Sequence, residues 1–411
     1  MTTTLILSRQ PLSSRPLQEW LDDTPDTVVL FTTEKAVADT PEELAKYFPR
    51  HRLVADYHAW SSDLAAEQAA REFSVDRIAS TSEQDVLRAA RLRARLGLPG
   101  QSPASAIAYR DKVLMKQLAR QAGLPVPAFT AVDSAMDLME FIDTVGYPVV
   151  VKPRSGYGAE GVHVLRDQQG VDAFLAREQE STLPYLPGHW MAEFFVEGDF
   201  CHVDGIMSEG RIVHGWPSQY NSGVAEHLEH DSSLSSVLIA AEDPRHAVLM
   251  KLTADLIAAL PVADGPMAFH LEAWIRADGK PVLCEIASRA GGAGIAQVYE
   301  RAFGVQLARE GLRAQCGSEL TLRHQPEQPE GGYYGWLVIP PGHGTFTPPA
   351  GPCPVPGVEL SLQLEAGTVC QGVAHAAEGA ATALVRGADP AEVAERIDQA
   401  VRWWRQSARW A

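Results

Sequence analysis

Residues 267–292 read MAFHLEAWIRADGKPVLCEIASRAGG. Two apolar runs, MAFHLEAWI and PVLCEIA, flank Asp278-Gly279, a dipeptide strongly associated with a two-residue hairpin turn. Such a turn sets Glu272 directly opposite Glu285. Opposed side chains sit about 4.5 to 5.5 Å apart at Cβ, and like charges there are destabilising unless a cation lies between them. Both glutamates stand inside apolar runs, and a buried carboxylate pair predicts a divalent metal. All-oxygen ligation favours Mg2+ or Mn2+ over zinc. Two plainer readings stay open: the exposed face of an edge hairpin, and one carboxyl with a raised pKa. A one-residue bulge would also upset the register. His270 shares a strand face with Glu272 by the period of two.

Four residues beyond Glu285 stands Arg289, with Gly291 and Gly292 just after it. An arginine there can offer a bidentate fork to a carboxylate or phosphate while glycine N–H groups face the same space. A capping or surface arginine would leave the same trace. Upstream, the apolar strand Pro148–Lys152 runs into Pro153-Arg154-Ser155-Gly156-Tyr157-Gly158-Ala159-Glu160-Gly161. The glycines of Ser155–Gly161 let backbone N–H groups converge on phosphate oxygens with little hindrance, although a surface hairpin would look alike. Lys152 at the end of a buried strand needs an anionic partner. Lys112, on the preceding helix, is placed to supply a second phosphate contact.

The chain has 411 residues, enough for two to four domains. Its 45% hydrophobic and 21% charged residues are those of a folded, soluble protein. Lys plus Arg number 35 against 52 Asp plus Glu, a net charge of −17 that repels nucleic-acid backbones and acidic membranes. Neither is an expected partner, and an anionic substrate must be held by a local cluster of Lys, Arg and N–H groups. Cys201, Cys284, Cys316, Cys353 and Cys370 are scattered without a C-x-x-C pair, as expected of reduced thiols in a cytoplasm. Met1–Ser8 has no basic leader, and no run of 18 apolar residues occurs, so neither a signal peptide nor a membrane span is expected.

Thr4–Leu7, Val28–Thr32 and Arg52–Ala55 read as buried strands alternating with helices over Leu64–Phe73 and Glu83–Leu96. Breakers in Gly97–Ala106 suggest a boundary. A helix is expected over Tyr109–Gln121 and another over Ala135–Val145, capped by Asp133 or Ser134 and ended by Gly146. Val162–Leu165 resumes a strand, followed by a helix near Val171–Glu180 and an extended stretch from Met191. Phe200–Gly215 reads as a hairpin about Ser208-Glu209-Gly210. Beyond Pro326 the composition turns rich in Pro and Gly until a last helix over Pro390–Arg405. The expected division is an N-terminal α/β domain over 1–105, a region over 106–320, and a C-terminal lobe over 321–411.

The fingerprints of Rossmann, P-loop and zincin sites and of the serine-hydrolase elbow are absent from the sequence. His227 and His230, flanked by Glu226, Glu229 and Asp231, lack apolar context and read as a solvated loop more readily than as a metal site. Trp403, Trp404 and Trp410 read as core or oligomer packing.

Four stretches occur in a recognisable order: RDKVLMKQLARQAGLPVP (110–127), GYPVVVKPRSGYGAEGV (146–162), MAEFFVEGDFCHVDG (191–205), and FHLEAWI with VLCEIASRAGG (269–292). Together they resemble an ATP-grasp enzyme, most of all the L-amino-acid ligase and carboxylate–amine ligase branch, over roughly Tyr109–Gly304. The resemblance implies an α/β, three-part ATP-grasp arrangement with a mobile lid subdomain over about 124–196. It implies that Lys112 and Lys152 contact phosphates and that Ser155, Gly156, Gly158 and Gly161 belong to the lid loop. Glu193 would approach the exocyclic amine of adenine, with the backbone of Phe194 and Val196 on the ring. Glu272 and Glu285 would hold Mg2+, and Arg289 the acyl phosphate or substrate carboxylate. Two departures stand out. Ala287 occupies the place of an asparagine common in the family, and Phe200 falls near the usual ribose-binding acid, with Glu197 and Asp199 as nearby substitutes.

The expected activity is therefore an ATP- and Mg2+-dependent (or Mn2+-dependent) ligase joining a small carboxylate to an amine through an acyl phosphate, cytoplasmic and homodimeric. Phosphoryl transfer needs positioning and charge neutralisation more than a nucleophilic side chain. His202, Asp204, Ser218, Tyr220 and His270 are candidates to contact the substrates. Alternatives are a carboxylase component resembling biotin carboxylase and a non-catalytic ATP-binding protein.

Overall fold

The computed structural model describes residues 2–24, 26–179, 188–221, 232–372 and 379–411; His227, His230 and their acidic neighbours lie outside the described residues. Short runs of β-branched and leucine residues build the first sheet from β1 (Thr3–Leu7), β2 (Thr27–Thr33), β3 (His51–Val54) and β4 (Arg77–Ser80). All four are parallel, in the order β3-β2-β1-β4. Helices Trp60–Glu72 and Asp85–Leu96 cover one face through Ala66, Ala70, Ala89 and Leu92, packed on Leu5, Leu7, Val29 and Phe31. β4 carries only two buried residues, Ile78 and Ala79, too few to reveal a strand by pattern.

Pro103, read as a breaker, instead opens the helix Pro103–Ala108 in its first turn, where the missing N–H is no loss, with Ser102 as its cap. Asp111 caps the next helix, Lys112–Gln121, accepting from the N–H groups of Val113 (2.9 Å) and Leu114 (3.1 Å). Lys112 is thus fixed at the first helical position. A second, antiparallel sheet follows: β5 (Phe129–Val132), β6 (Val149–Pro153), β7 (His163–Leu165) and β8 (Trp190–Phe194), in the order β5-β8-β6-β7. The helix Ala135–Val145 begins on a Ser134–Asp137 capping box and ends at Gly146, whose φ of +76° suits glycine.

The remaining strands are β9 (Asp199–Ser208), β10 (Arg211–Tyr220), β11 (Leu234–Leu238), β12 (Met267–Ile275), β13 (Pro281–Ala287), β14 (Tyr333–Ile339), β15 (His343–Thr347), β16 (Val358–Leu362), β17 (Val369–Gln371), β18 (Ala381–Gly387) and β19 (Arg409–Trp410). Eight of them form one sheet in the order β13-β12-β9-β10-β11-β14-β18-β16. The segment expected as a C-terminal lobe therefore extends this sheet, under the helix Pro390–Ser407. Trp404 is buried there, and Trp403 and Trp410 pack against the same cluster. Among the described residues no helix is long and apolar enough to cross a membrane.

The decisive hairpin is β12–β13, and its turn is longer than two residues. The Arg276 N–H bonds the Lys280 carbonyl (3.0 Å) and the Gly279 N–H bonds the Arg276 carbonyl (2.8 Å), with Gly279 at φ +76°. That is a three-residue loop closed by a left-handed glycine. It shifts the pairs next to the turn by one position. A bulge at Cys284 takes the shift back, and Glu272 faces Glu285.

Candidate active site

A cavity of about 700 Å3 opens where the three sheets meet. Of the residues singled out from the sequence, Lys112, Lys152, Gly156, Gly158, Glu193, Phe194, Val196, Tyr220, His270, Glu272, Glu285, Arg289, Gly291 and Gly292 line it. Ser155, Gly161, His202, Asp204 and Ser218 do not.

Strand pairing brings an oxygen of Glu272 within 4.8 Å of one of Glu285. Their repulsion is relieved by protein groups. Lys112 Nζ lies 2.9 Å from Glu285 Oε2, the Tyr220 hydroxyl donates to Glu272 Oε1 (3.1 Å), and His270 Nε2 lies 3.4 Å from the same oxygen. Burial works to raise the Glu285 pKa, but Lys112 and Lys152 hold it down at about 2. Burial likewise opposes charge on His270, and Asp204 outweighs it, lifting the imidazole to about 10. The donor set fits a hard cation. Two oxygens on one Mg2+ stand about 3 to 4 Å apart, so the pair is within reach of a shared ion. Cys284 Sγ belongs to the same group, but burial pushes its thiol up to about 12, leaving a neutral, soft atom poorly suited to magnesium. Ala287 supplies no donor.

Beneath the cavity lies a cluster of opposite charges. Lys152 Nζ is 2.5 Å from Glu193 Oε1, and Lys116 Nζ is 3.3 Å from Glu193 Oε2. Lys152 thus has the anionic partner its position demands. Burial would depress the Lys152 ammonium, but the Glu193 and Glu285 carboxylates beside it hold it above the usual lysine range. Burial lowers Lys116, with Glu193 opposing. Burial would raise Glu193, but Lys116 and Lys152 keep it below the ordinary carboxylate range. Glu193, expected beside adenine, lines the cavity and is the carboxylate these two buried ammoniums demand; its Oε1 takes the Lys152 hydrogen bond, while Oε2 faces Lys116 without one. Lys116 escaped the sequence reading. Its signal is a second lysine four residues after Lys112, on the same helix face.

The glycine loop is tied to the rest of the site through its carbonyl. Gly156 O accepts from Lys112 Nζ (2.7 Å) and Arg110 Nη1 (3.4 Å). The N–H groups of Gly156 and Glu160 close on Pro153 and Tyr157 within the loop itself. Among the described residues, the N–H groups of Tyr157, Gly158 and Ala159 are left for a ligand. Gly161 turns away, and a Cβ there would sit 3.0 Å from the Pro153 ring. On the hinge, the Phe194 N–H is spent on Ala128 O (2.9 Å). Glu197 lines the cavity, whereas Asp199 pairs with Arg245 (3.1 Å).

Arg289 is anchored from the first sheet. Its Nε donates to Glu83 Oε2 (2.5 Å) and its Nη1 to Ala290 O (2.9 Å), while Glu83 Oε1 takes Arg110 (3.1 Å). Gln84 reaches the glycine loop through the Tyr157 hydroxyl (2.6 Å). Glu83 and Gln84 lie in a segment without a motif, and nothing in the sequence marks them; Arg110 opens the first of the four recognisable stretches, but nothing local shows that it reaches Glu83.

The expectation that His202, Asp204 and Ser218 meet the substrates is corrected by their burial. His202 Nδ1 is 2.5 Å from Asp204 Oδ2 and its Nε2 is 2.7 Å from Ser236 Oγ; Asp204 Oδ1 is 2.8 Å from His270 Nδ1. With Ser218 they surround a separate void of about 10 Å3. Strand alternation does carry these side chains to one face, but Ile295, Tyr299 and Trp336 seal it. Asp204 and His270 in turn support Gly291, where a Cβ would come within 2.7 Å of Asp204 Oδ1 and 2.9 Å of His270 Nδ1.

Residues 117–298 match the ATP-grasp domain family. This chain carries an ATP-grasp domain. The ATP-grasp chain is 27% identical over 277 residues to the L-arginine-specific L-amino acid ligase of Bacillus subtilis, an alignment spanning 66% of this chain and 65% of that protein. It is 30% identical over 159 residues to a D-alanine–D-alanine ligase of Gloeobacter violaceus, 36% of this chain and 52% of the relative. The match thus spans between half and two thirds of these relatives' lengths. In three dimensions the L-amino acid ligase of Bacillus licheniformis superposes with a TM-score of 0.74 at 19% identity, over 98% of this chain and 97% of that one. The biotin carboxylase domain dimer of Hydrogenobacter thermophilus 2-oxoglutarate carboxylase, solved with MgADP and bicarbonate, gives 0.69 at 14%, over 100% and 91%. These likenesses establish the ATP-grasp fold.

Proposed function

We propose that this ATP-grasp protein is an ATP- and Mg2+-dependent (or Mn2+-dependent) ligase that joins a small carboxylic acid, such as an amino acid, to an amine, releasing ADP and phosphate. The observation that carries the reading is the meeting of Glu272 and Glu285 within 4.8 Å, in a cavity that also holds Lys112, Lys152 and Arg289. Similarity to an L-amino acid ligase supports the amine as acceptor.

Bound between Glu272 and Glu285, the metal would supply charge neutralisation at the phosphate chain. Lys152, oriented by Glu193, and Lys112, oriented by Glu285 and the Gly156 carbonyl, are the cations for phosphate oxygens. The N–H groups of Tyr157, Gly158 and Ala159 close over them. Phe194 and Val196 border adenine, and Glu197 is the acid available to the ribose. Arg289, steadied by Glu83, directs its remaining donors at the substrate carboxylate, beside Gly291 and Gly292. Tyr220 and His270 orient Glu272 as positioning residues. A carboxylate oxygen bonds to the γ-phosphorus as the bond to ADP breaks. The amine nitrogen then bonds to the carbonyl carbon, phosphate leaves with its oxygen, and the nitrogen gives up a proton. No nucleophilic side chain is required.

Free cysteines, three of them buried, fit a reducing cytoplasm, and a homodimer is the proposed assembly, to be measured by sedimentation. The activity is tested by phosphate release from ATP across pairs of amino acids, with mass spectrometry of products. An amide formed one-for-one with ADP supports the ligase. Turnover that needs bicarbonate and biotin but no amine would replace it with a carboxylase, and ATP binding without turnover in any pair would leave a binding protein.

A further inference from the structure

Two arginines on the cavity wall are left without work by the proposed reaction. Arg9 and Arg15 lie in the loop after β1, and Thr81–Gln84 forms the loop after β4; both loops line the cavity. β1 and β4 are parallel neighbours, and the sheet order β3-β2-β1-β4 reverses direction between them. The crevice outside the carboxyl ends of such strands, at the reversal, is where open α/β sheets bind ligands. The side chains there are cationic. Arg15 donates to Thr81 Oγ1 and lies over the Trp20 ring (5.8 Å). Arg9 Nε is buried and has no hydrogen-bond partner.

The nearby acids have other partners, although Asp85 keeps one buried oxygen, Oδ2, without a hydrogen bond. Glu83 holds Arg289 (2.5 Å) and Arg110 (3.1 Å). Asp85 accepts from the Tyr57 hydroxyl (3.0 Å) and faces Arg88 (3.6 Å). Among the described residues no carboxylate forms an ion pair with Arg9 or Arg15. Burial and the neighbouring Arg9 lower the Arg15 pKa, with Asp85 opposing them only in part, the mark of crowded positive charge. In a chain of net charge −17, two such arginines side by side ask for an anion. Thr81, bonded to Arg15, and Glu83, bonded to Arg289, are two residues apart, at most roughly 7 Å along the backbone. Arg15 and Arg289 are therefore tied to one short loop on the cavity wall.

We propose that Arg9 and Arg15 bind a second anionic group, carboxylate or phosphate, on the acid substrate whose reacting carboxylate lies at Arg289. The inference rests on the ligase reading for the identity of the ligand as a substrate, and on the loop geometry for its charge. The test uses the full chain with ATP, Mg2+ and an excess of one amine found active in the pair screen. L-Glutamate, O-phospho-L-serine and L-alanine serve as acids. One of the two dianionic acids is expected to exceed L-alanine at least tenfold in kcat/KM, glutamate indicating a carboxylate site and phosphoserine a phosphate site. That ratio is expected to fall at least tenfold in Arg9→Gln and in Arg15→Gln, and to recover in part in Arg15→Lys. A preference for L-alanine in the native chain, or a ratio that moves less than twofold in both glutamine variants, overturns the proposal. If no pair releases phosphate, the ligase reading fails by itself. Calorimetric binding of glutamate or phosphoserine to the chain with Mg2+ and a non-hydrolysable ATP analogue then decides: binding lost in the variants upholds the anion site, and no binding to the native chain ends it.

Discussion

Replacing Glu193 by Gln probes the charges beneath the cavity. Glu193 is 2% exposed and faces Lys116, at 0%, and Lys152, at 5%. The amide keeps the shape of the carboxylate and removes its charge, leaving two buried ammoniums. Breaking a buried ion pair from one side costs about 3 to 5 kcal/mol. A separate limit comes from proton loss. A lysine of ordinary pKa 10.5 can enter the folded state neutral, at about 1.4 kcal/mol per pH unit, or about 5 kcal/mol at pH 7. Lys116 is the one to yield, because burial already depresses it and Glu193 is its carboxylate, whereas Lys152 retains Glu285.

The direction of the pH dependence follows. With Lys116 neutral when folded and protonated when unfolded, the unfolded chain binds more protons, so the stability of the variant relative to the native chain rises with pH. A deficit near 5 kcal/mol at pH 7 should shrink to about 2 kcal/mol at pH 9. Urea unfolding followed by tryptophan fluorescence at both pH values measures it. A deficit under about 1 kcal/mol at pH 7, or an equal deficit at pH 9, would refute the reasoning, since either requires the lysines to be solvated or otherwise paired.

Glu83→Gln should lower kcat/KM of the proposed ligase roughly 10- to 100-fold by unseating Arg289, with folding retained by circular dichroism; an unchanged rate removes Glu83 from the site. Glu272→Gln should reduce turnover by more than about 100-fold and raise the Mg2+ concentration needed, and a variant with native metal dependence would contradict its role as ligand. Gly291→Ala should cost about 1 to 3 kcal/mol, because the new methyl overlaps Asp204 and His270; a native melting temperature would show that the pair can move aside. Burial holds His214 at about 4, so it stays neutral in the folded chain as pH falls below the ordinary value of 6.5. Its share of stability is full above pH 6.5 and declines toward pH 4, and His214→Gln should flatten that acid limb by up to about 3 kcal/mol in urea titrations, where an unaltered slope would assign the loss to other groups.

The sequence made legible what local pattern governs. A helix cap at Asp133 or Ser134, which the structure gives to Ser134, the glycine stop at Gly146 and the cation at the end of Pro148–Lys152 each follow from a residue and its immediate neighbours. Contacts between distant segments are not fixed by such neighbours. Glu83 reaches Arg289, and Lys116 reaches Glu193, only because separate sheets close on one cavity. His202 and Asp204 show the opposite failure. Period-two alternation fixes the face on which a side chain stands, but whether that face is open depends on Trp336 and Tyr299, which arrive from later in the chain.

The pairing of Glu272 with Glu285 came through although the turn was misjudged, and the reason is physical. A three-residue loop alone would have put the two glutamates on opposite faces, burying one away from the lysines. Among the described residues β13 is an edge strand with no strand on its outer side, where the Leu283 N–H bonds the Pro125 carbonyl (2.9 Å), so a bulge there disrupts one ladder only. The bulge at Cys284 also turns carbonyls toward the helix Lys112–Gln121, and Lys116 Nζ takes those of Leu283 (3.4 Å) and Cys284. The lysine that satisfies the bulge is the one that holds Glu193. Restoring the register and steadying the phosphate-side lysines are therefore one arrangement: a two-residue turn, by removing the bulge, would keep the glutamates opposed but leave Lys116 with nothing to bind except Glu193.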